Sequence, residues 1–210
     1  MPPQKRTRGP VGAKRQEIIQ VATEYFGRDG YEDTKWADVA TAVGVGPTAL
    51  YHYFESKQHC LYVIIAEAID TFSARLRTIP AEHEDFREGL VAVLEDGFKL
   101  TELEVLRNRV TVAEQGLVST HRTSPREEEA RQLARQRTRD LEYEWGMFLS
   151  RGMAQGALPE ADPKLLTHAL LGLYNSIWHW FRPGGGWELE DVGAFFVSRQ
   201  LALLGVPTSG

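Results

Sequence analysis

Gly44-Val45-Gly46-Pro47-Thr48-Ala49-Leu50-Tyr51-His52-Tyr53-Phe54, followed three residues on by Lys57, is the stretch on which the reading of this chain turns. Gly44 takes the left-handed conformation that ends a helix at little steric cost. Val45 is an apolar residue suited to the angle between two helices. Gly46 and Pro47 fit a helix start, because Gly is tolerated at the N-cap and Pro is favoured at the first helical position. Leu50 and Phe54, four apart, share an inward face. Pro47, Thr48, Ala49, Tyr51 and His52 are left facing outward. A short helix showing small and aromatic groups suits a major groove better than a protein core. The pattern predicts the turn and second helix of a helix-turn-helix.

The residues before it support that reading. Ile18, Ile19, Ala22 and Phe26 recur at helical spacing and predict a first amphipathic helix from Lys14 to about Arg28, stopped by Gly30. Thr34 is a candidate N-cap for a second helix carrying Trp36, Val39, Ala40 and Val43. Three short, closely connected helices make one small apolar core, with the third as the reading element.

Phe26-(x)3-Gly30-Tyr31-(x)2-Thr34, Val39-Ala40-(x)3-Gly44-Val45 and Leu50-Tyr51-(x)2-Phe54-(x)2-Lys57 together resemble the N-terminal domain of TetR-type transcriptional regulators. The resemblance covers the first third of the chain and is far more specific in combination than any single motif. Gly46 stands where the family often has a capping Ser, Thr48 where many members have Gly, and Tyr53 where His is common. The first weakens a cap by a few tenths of a kcal/mol, which Pro47 offsets. The other two alter which bases or phosphates are met. On this reading Thr34 and Lys35 open the second helix and hold a phosphate. Lys35 also matches a family position that sometimes reaches a base edge. Pro47 and Ala49 make close apolar contacts, and Thr48 meets a polar edge or a thymine methyl. Tyr51 and His52 donate to phosphates or bases, and Lys57 holds the backbone after the helix. Tyr53 is either a further contact or a packing residue.

Composition fits a regulator. The 210 residues carry 42% hydrophobic side chains and a formal net charge of −5, unevenly placed. Residues 1–57 hold eight Lys and Arg against seven Asp and Glu, so the acid excess lies beyond them. Lys5, Arg6, Arg8, Lys14 and Arg15 precede the first acid, Glu17. That tail either follows the phosphate backbone or a minor groove, or is an ordinary solvated end. No apolar run is long enough to span a membrane and no secretory signal follows the basic start. The single cysteine, Cys60, excludes an intrachain disulfide framework and suits a reducing cytosol. The expected location is the cytoplasm.

Helical periodicity continues past Lys57. Leu61 to Leu76 predicts a long connecting helix ending before Pro80, and Phe86 to Phe98 predicts the next. Leu103, Leu106 and Val110 begin a third, with Gly116 near its end. Ser124-Pro125 starts a long helix through Leu149, Asp162-Pro163 caps another, and Trp187 onward starts the last. There is no strand alternation. The expected fold is all-α, with a DNA-binding domain over residues 1–57 and an effector-binding and dimerisation domain over 58–210.

The Pro163–Arg182 helix is apolar nearly all round, its polar side little more than His168, Asn175 and His179, and the last helix has the same excess. Such helices need cover on most faces. Paired with their copies they make a four-helix homodimer interface, which also lets two recognition helices read a palindromic double-stranded operator. Burial inside a monomer is the alternative. Phe86, Leu90, Leu94, Phe98, Leu106, Val110, Trp145, Phe148, Leu149 and Trp178 exceed what a small bundle requires, and TetR-type resemblance makes this region an inducer pocket. Asn175 and His179, one turn apart beside Trp178, are the candidates to orient a ligand. The segment Asn175–Gly185 looks like that of a TetR-type subset controlling fatty-acid and sterol catabolism, which implies an acyl-CoA effector. An Arg face at Arg131, Arg135 and Arg139 is either a phosphate contact or a solvated face paired with Glu127 and Glu128. An uncharged hydrophobic effector is the rival.

Nothing in the sequence suggests catalysis: no phosphate loop, metal-ligand cluster or nucleophile elbow is present, and no cofactor or metal is expected. A ligand carrier without DNA activity leaves the outward face of Pro47 to His52 unexplained. Repression follows from the family resemblance; activators share the architecture.

Overall fold

A computed structural model describes residues 11–207; the basic stretch Lys5, Arg6 and Arg8 lies outside them. Among the described residues every regular element is helical. In order they are α1 (Val11–Asp29), α2 (Trp36–Ala42), α3 (Pro47–Tyr53), α4 (Lys57–Thr78), α5 (Phe86–Asp96), α6 (Glu102–Ala113), α7 (Pro125–Ala154), α8 (Pro163–Trp180) and α9 (Leu189–Leu203), with 3-10 turns at Pro80–Glu82 and Gln115–Ser119. This is the expected all-α architecture. The first helix starts a turn earlier than Lys14, and the last starts at Leu189 rather than Trp187.

The first three helices form a small head because their apolar residues converge. Ile18, Ile19, Ala22, Phe26, Val39, Ala40, Leu50 and Phe54 are all buried together. Gly44 has φ +67°, and around it Val45 N–H donates to Ala40 O and Gly44 N–H to Thr41 O, both at 3.0 Å. This paired closure satisfies the last carbonyls of α2 and turns the chain into α3. Phe54 anchors the far end of the turn. Its ring meets Trp36 and His59 edge-on, at 6.4 and 5.6 Å, and the Arg15 guanidinium covers its face at 5.0 Å.

The remaining helices form a larger body around a second core that includes Leu90, Phe98, Leu149 and Ile177. α4 belongs to both. Cys60, Leu61, Ile64 and Ile65 complete the core of the head, whereas Leu76 lies in that of the body. α7 lies along α4, and α6 crosses both α4 and α1. At the α1–α6 crossing the backbones touch: a Cβ added at Gly27 would sit 2.7 Å from Leu106 Cβ.

Ser56, Asp85, Thr101, Ser124 and Asp162 each accept backbone N–H bonds at the starts of α4 through α8. α2 and α3 begin with no side-chain cap, at Lys35 and Gly46, and α9 is likewise uncapped. The starts of α2 and α3 thus leave backbone N–H groups without a side-chain partner.

Candidate functional site

The outer face of α3 presents Pro47, Thr48, Tyr51 and His52 to solvent, with Tyr51 53% exposed; Ala49 and Tyr53 are half-buried. Leu50 and Phe54 beneath them are fully buried, so the exposed side chains stand on a fixed base. Tyr53 packs against the core of the head. Lys35 is exposed at the start of α2.

Two expected DNA contacts are used differently. Thr34 is 5% exposed, and its hydroxyl donates to Gly30 O at 2.8 Å in the turn after α1. It does not cap α2, where Lys35 holds the N-cap position, and its hydroxyl proton is committed to Gly30 O. Lys57 Nζ donates to Tyr31 O at 2.6 Å, Thr34 O at 3.0 Å and Glu32 O at 3.3 Å, and sits 4.2 Å from the Tyr31 ring centroid. An ammonium has three protons, and all three are taken up in pinning the α1–α2 turn to the start of α4. Of the basic residues before Glu17, Lys14 donates to Val43 O at 2.8 Å and Glu17 at 2.6 Å. Cys60 is fully buried, and burial pushes its thiol far above the ordinary range, so it stays protonated.

A cavity of about 670 Å³ opens between α4, α5, α6, α7, α8 and α9. Its wall is chiefly apolar, with Ile65, Ile69 and Phe72 from α4, Val112 from α6, Leu141 and Trp145 from α7, and Leu170 and Trp178 from α8. Of the expected pocket residues Leu94, Trp145, Asn175 and Trp178 line it. The others do not. Phe86 stacks on Phe148 at 4.8 Å, and both line a separate outer groove with Tyr143 and Met147. Leu90 and Leu149 are wholly enclosed by the core of the body, Phe98 is packed on Gly193, and Leu106 on Gly27. Val110 belongs to the core of the head. His179 is exposed, on the opposite side of α8 from buried Ile177 and Trp178.

Polar groups missed in the sequence also line the cavity. The Tyr174 hydroxyl donates to Gly97 O at 3.0 Å and accepts from Asn108 Nδ2 at 3.3 Å. Burial raises its pKa well beyond the usual tyrosine range. Arg75 pairs with Glu104 at 2.6 Å and Asp96 at 3.5 Å. Phe72 follows the apolar period of α4, and Asn108 interrupts that of α6; these were the available signals. Of the expected Arg face, Arg131 is buried, bidentate to Glu128 at 2.6 and 2.7 Å and donating to Val118 O at 2.7 Å. Those hydrogen bonds hold the Glu128 carboxyl far below its usual range, and Arg131 is unavailable to a ligand. Arg135 and Arg139 are exposed and line the cavity.

A helix-turn-helix head with an exposed reading face, joined through α4 and α6 to a cavity-bearing helical body, defines a ligand-responsive DNA-binding protein. Comparison with known proteins gives its kinship. "Bacterial regulatory proteins, tetR family" matches residues 18–62, and "Tetracyclin repressor-like, C-terminal domain" matches residues 104–204. The HTH-type transcriptional repressor KstR2 of Rhodococcus jostii is 26% identical over 213 residues, covering 98% of each chain. The TetR family regulator PfmR of Thermus thermophilus superposes with a TM-score of 0.70 at 28% identity, covering 91% of this chain and 99% of that one. AibR, solved with isovaleryl coenzyme A and operator DNA, shares the fold with a TM-score of 0.71 at 21% identity, covering 89% and 97%. The chain belongs to the TetR family, and it is a ligand-responsive transcriptional repressor of that type.

Proposed function

We propose that this chain acts in the cytoplasm as a homodimer that holds a palindromic operator and releases it when an acyl-CoA-like effector fills the cavity. The observation that carries the DNA half is the outer face of α3, held exposed on the buried base of Leu50 and Phe54, with the starts of α2 and α3 free of side-chain caps as that of α9 also is. A helix start with free N–H groups suits a phosphate. Lys35 stands at that of α2, while Pro47, Thr48, Ala49, Tyr51 and His52 face the bases and backbone; Tyr53 supports them from below.

The dimer rests on the outer face of α8 and α9. Leu165, Trp180, Phe195 and Leu203 are 69%, 46%, 56% and 41% exposed, with Ala169, Gly172 and Ser176 between them on α8. Large apolar groups around a stripe of small ones suit close helix packing against a second copy.

The effector class rests on the union of an apolar chamber and a basic rim. A chamber of about 670 Å³ has the size of a small-molecule site. Arg135 and Arg139 form no salt bridge among the described residues, which leaves them free for phosphates outside an inserted acyl chain. The fold accepts isovaleryl coenzyme A in AibR. α6 supplies Asn108, Thr111 and Val112 to the chamber and rests Leu106 on Gly27 of the head, so filling one end displaces the other. Mobility shift of genomic fragments tests both halves. The wild type retards an operator fragment, Tyr51→Ala loses it with helix content intact, and added acyl-CoA releases it. Unchanged binding by Tyr51→Ala, or indifference to every acyl-CoA tried, overturns the corresponding half.

A further inference from the structure

Gln200 stands out in the cavity wall as a buried amide for which the protein provides no partner. Gln200 on α9 lines it and is 2% exposed; its Oε1 is buried without a hydrogen bond, and none reaches its amide nitrogen among the described residues. Trp178 on α8 lines the same cavity and is also 2% exposed; its ring stands edge-on to Tyr174 at 5.4 Å, and its Nε1 makes no full hydrogen bond. Several other polar groups of the wall are engaged. Tyr174 and Asn108 bond each other, Thr111 donates to Arg107 O at 2.9 Å, and Arg75 is paired with two carboxylates.

Buried polar groups in folded proteins are nearly always satisfied, and an exception inside a ligand chamber points to the ligand. A plain hydrocarbon chain offers nothing to an amide or an indole N–H and leaves both desolvated. Gln200 requires one partner that accepts and one that donates. A hydroxyl does both, whichever way the amide is turned, and also accepts from the indole. A carboxylate lacks the proton that Oε1 needs.

We propose that Gln200, with Trp178, anchors a hydroxyl on the buried part of the effector and so selects hydroxylated over plain acyl chains. This rests on the acyl-CoA reading above, and the test separates the two. Calorimetric titration compares octanoyl coenzyme A with its 3-hydroxy and 8-hydroxy counterparts, and octan-1-ol with its methyl ether. At least one hydroxylated thioester is expected to bind the wild type about tenfold tighter than octanoyl coenzyme A, the fold-change that one hydrogen bond supplies. Gln200→Leu erases the preference while keeping the plain chain. Trp178→Phe reduces it. If no thioester binds but octan-1-ol is preferred over its ether in a Gln200-dependent way, the coenzyme A reading fails and the hydroxyl anchor stands. Equal binding of hydroxylated and plain probes, or a preference that survives Gln200→Leu, overturns the anchor.

Discussion

Lys57 and His59, two residues apart at the start of α4, turn sequence positions that look like surface chemistry into internal fastenings. Lys57 spends its ammonium on three carbonyls of the α1–α2 turn. Lys57→Met is therefore expected to lower the stability of the head by about 1–2 kcal/mol, the scale of charge-assisted bonds to backbone. The urea midpoint falls, while the salt dependence of operator binding keeps its slope because no phosphate contact is lost. His59 accepts a hydrogen bond from Glu55 N–H on Nδ1 at 3.2 Å and packs edge-on against Phe54. Burial, helped by Arg126, lowers its pKa below the ordinary 6.5. The native state thus binds the proton less readily than the unfolded chain. The stability due to neutral His59 is complete above pH 6.5 and is lost as pH falls below it, through the depressed native value. Denaturation at pH 7.5 and 5.5 measures this, and the gap between the two is expected to narrow in His59→Phe.

Among the elements, α6 touches both the chamber and the head, as α4 does, and Gly27 is what lets it come so close. Gly27→Ala places a methyl 2.7 Å from Leu106 Cβ and 3.1 Å from Leu106 Cα; part of that obstacle is backbone. The expected cost is about 1–3 kcal/mol of overpacking, read as a melting shift and not recovered in the double variant with Leu106→Ala, which keeps the obstructing Cα and Cβ. Such a crossing was invisible in sequence, where Gly27 is one glycine in a helical run. The turn at Gly44 was legible because its chemistry is local: a positive φ, then an apolar plug, then Pro47. The chamber was not, because periodicity says which side of a helix faces inward but not whether the interior there is filled. Leu90 and Leu94 share one stripe of α5, yet only Leu94 meets open space. α8 was illegible for another reason. With apolar groups nearly all round, it gave no phase by which to tell that His179 faces out and Trp178 in. Polar lining groups such as Gln200 and Tyr174 carried no mark distinguishing them from ordinary helix residues.

For the whole molecule, the proposed two-fold pairing makes DNA binding depend on a surface remote from α3. Phe195→Asp and Leu165→Arg, both on exposed positions, are expected to leave helix content unchanged and shift the mass by light scattering from dimer to monomer. Operator affinity then falls at least tenfold, since one recognition helix reads half a palindrome. α4 has a different global effect. Its first turns floor the head and its last turns roof the body, so neither core is complete without the other's half of the same rod. Heating therefore gives a single endotherm in calorimetry, with the calorimetric and van't Hoff enthalpies in agreement. Residues 11–56 expressed by themselves, deprived of Leu61, Ile64 and Ile65, stay unfolded. This reader of DNA is no detachable module but one end of a continuous beam, and a mutation that loosens the chamber's α4 wall is felt at the operator as lost order.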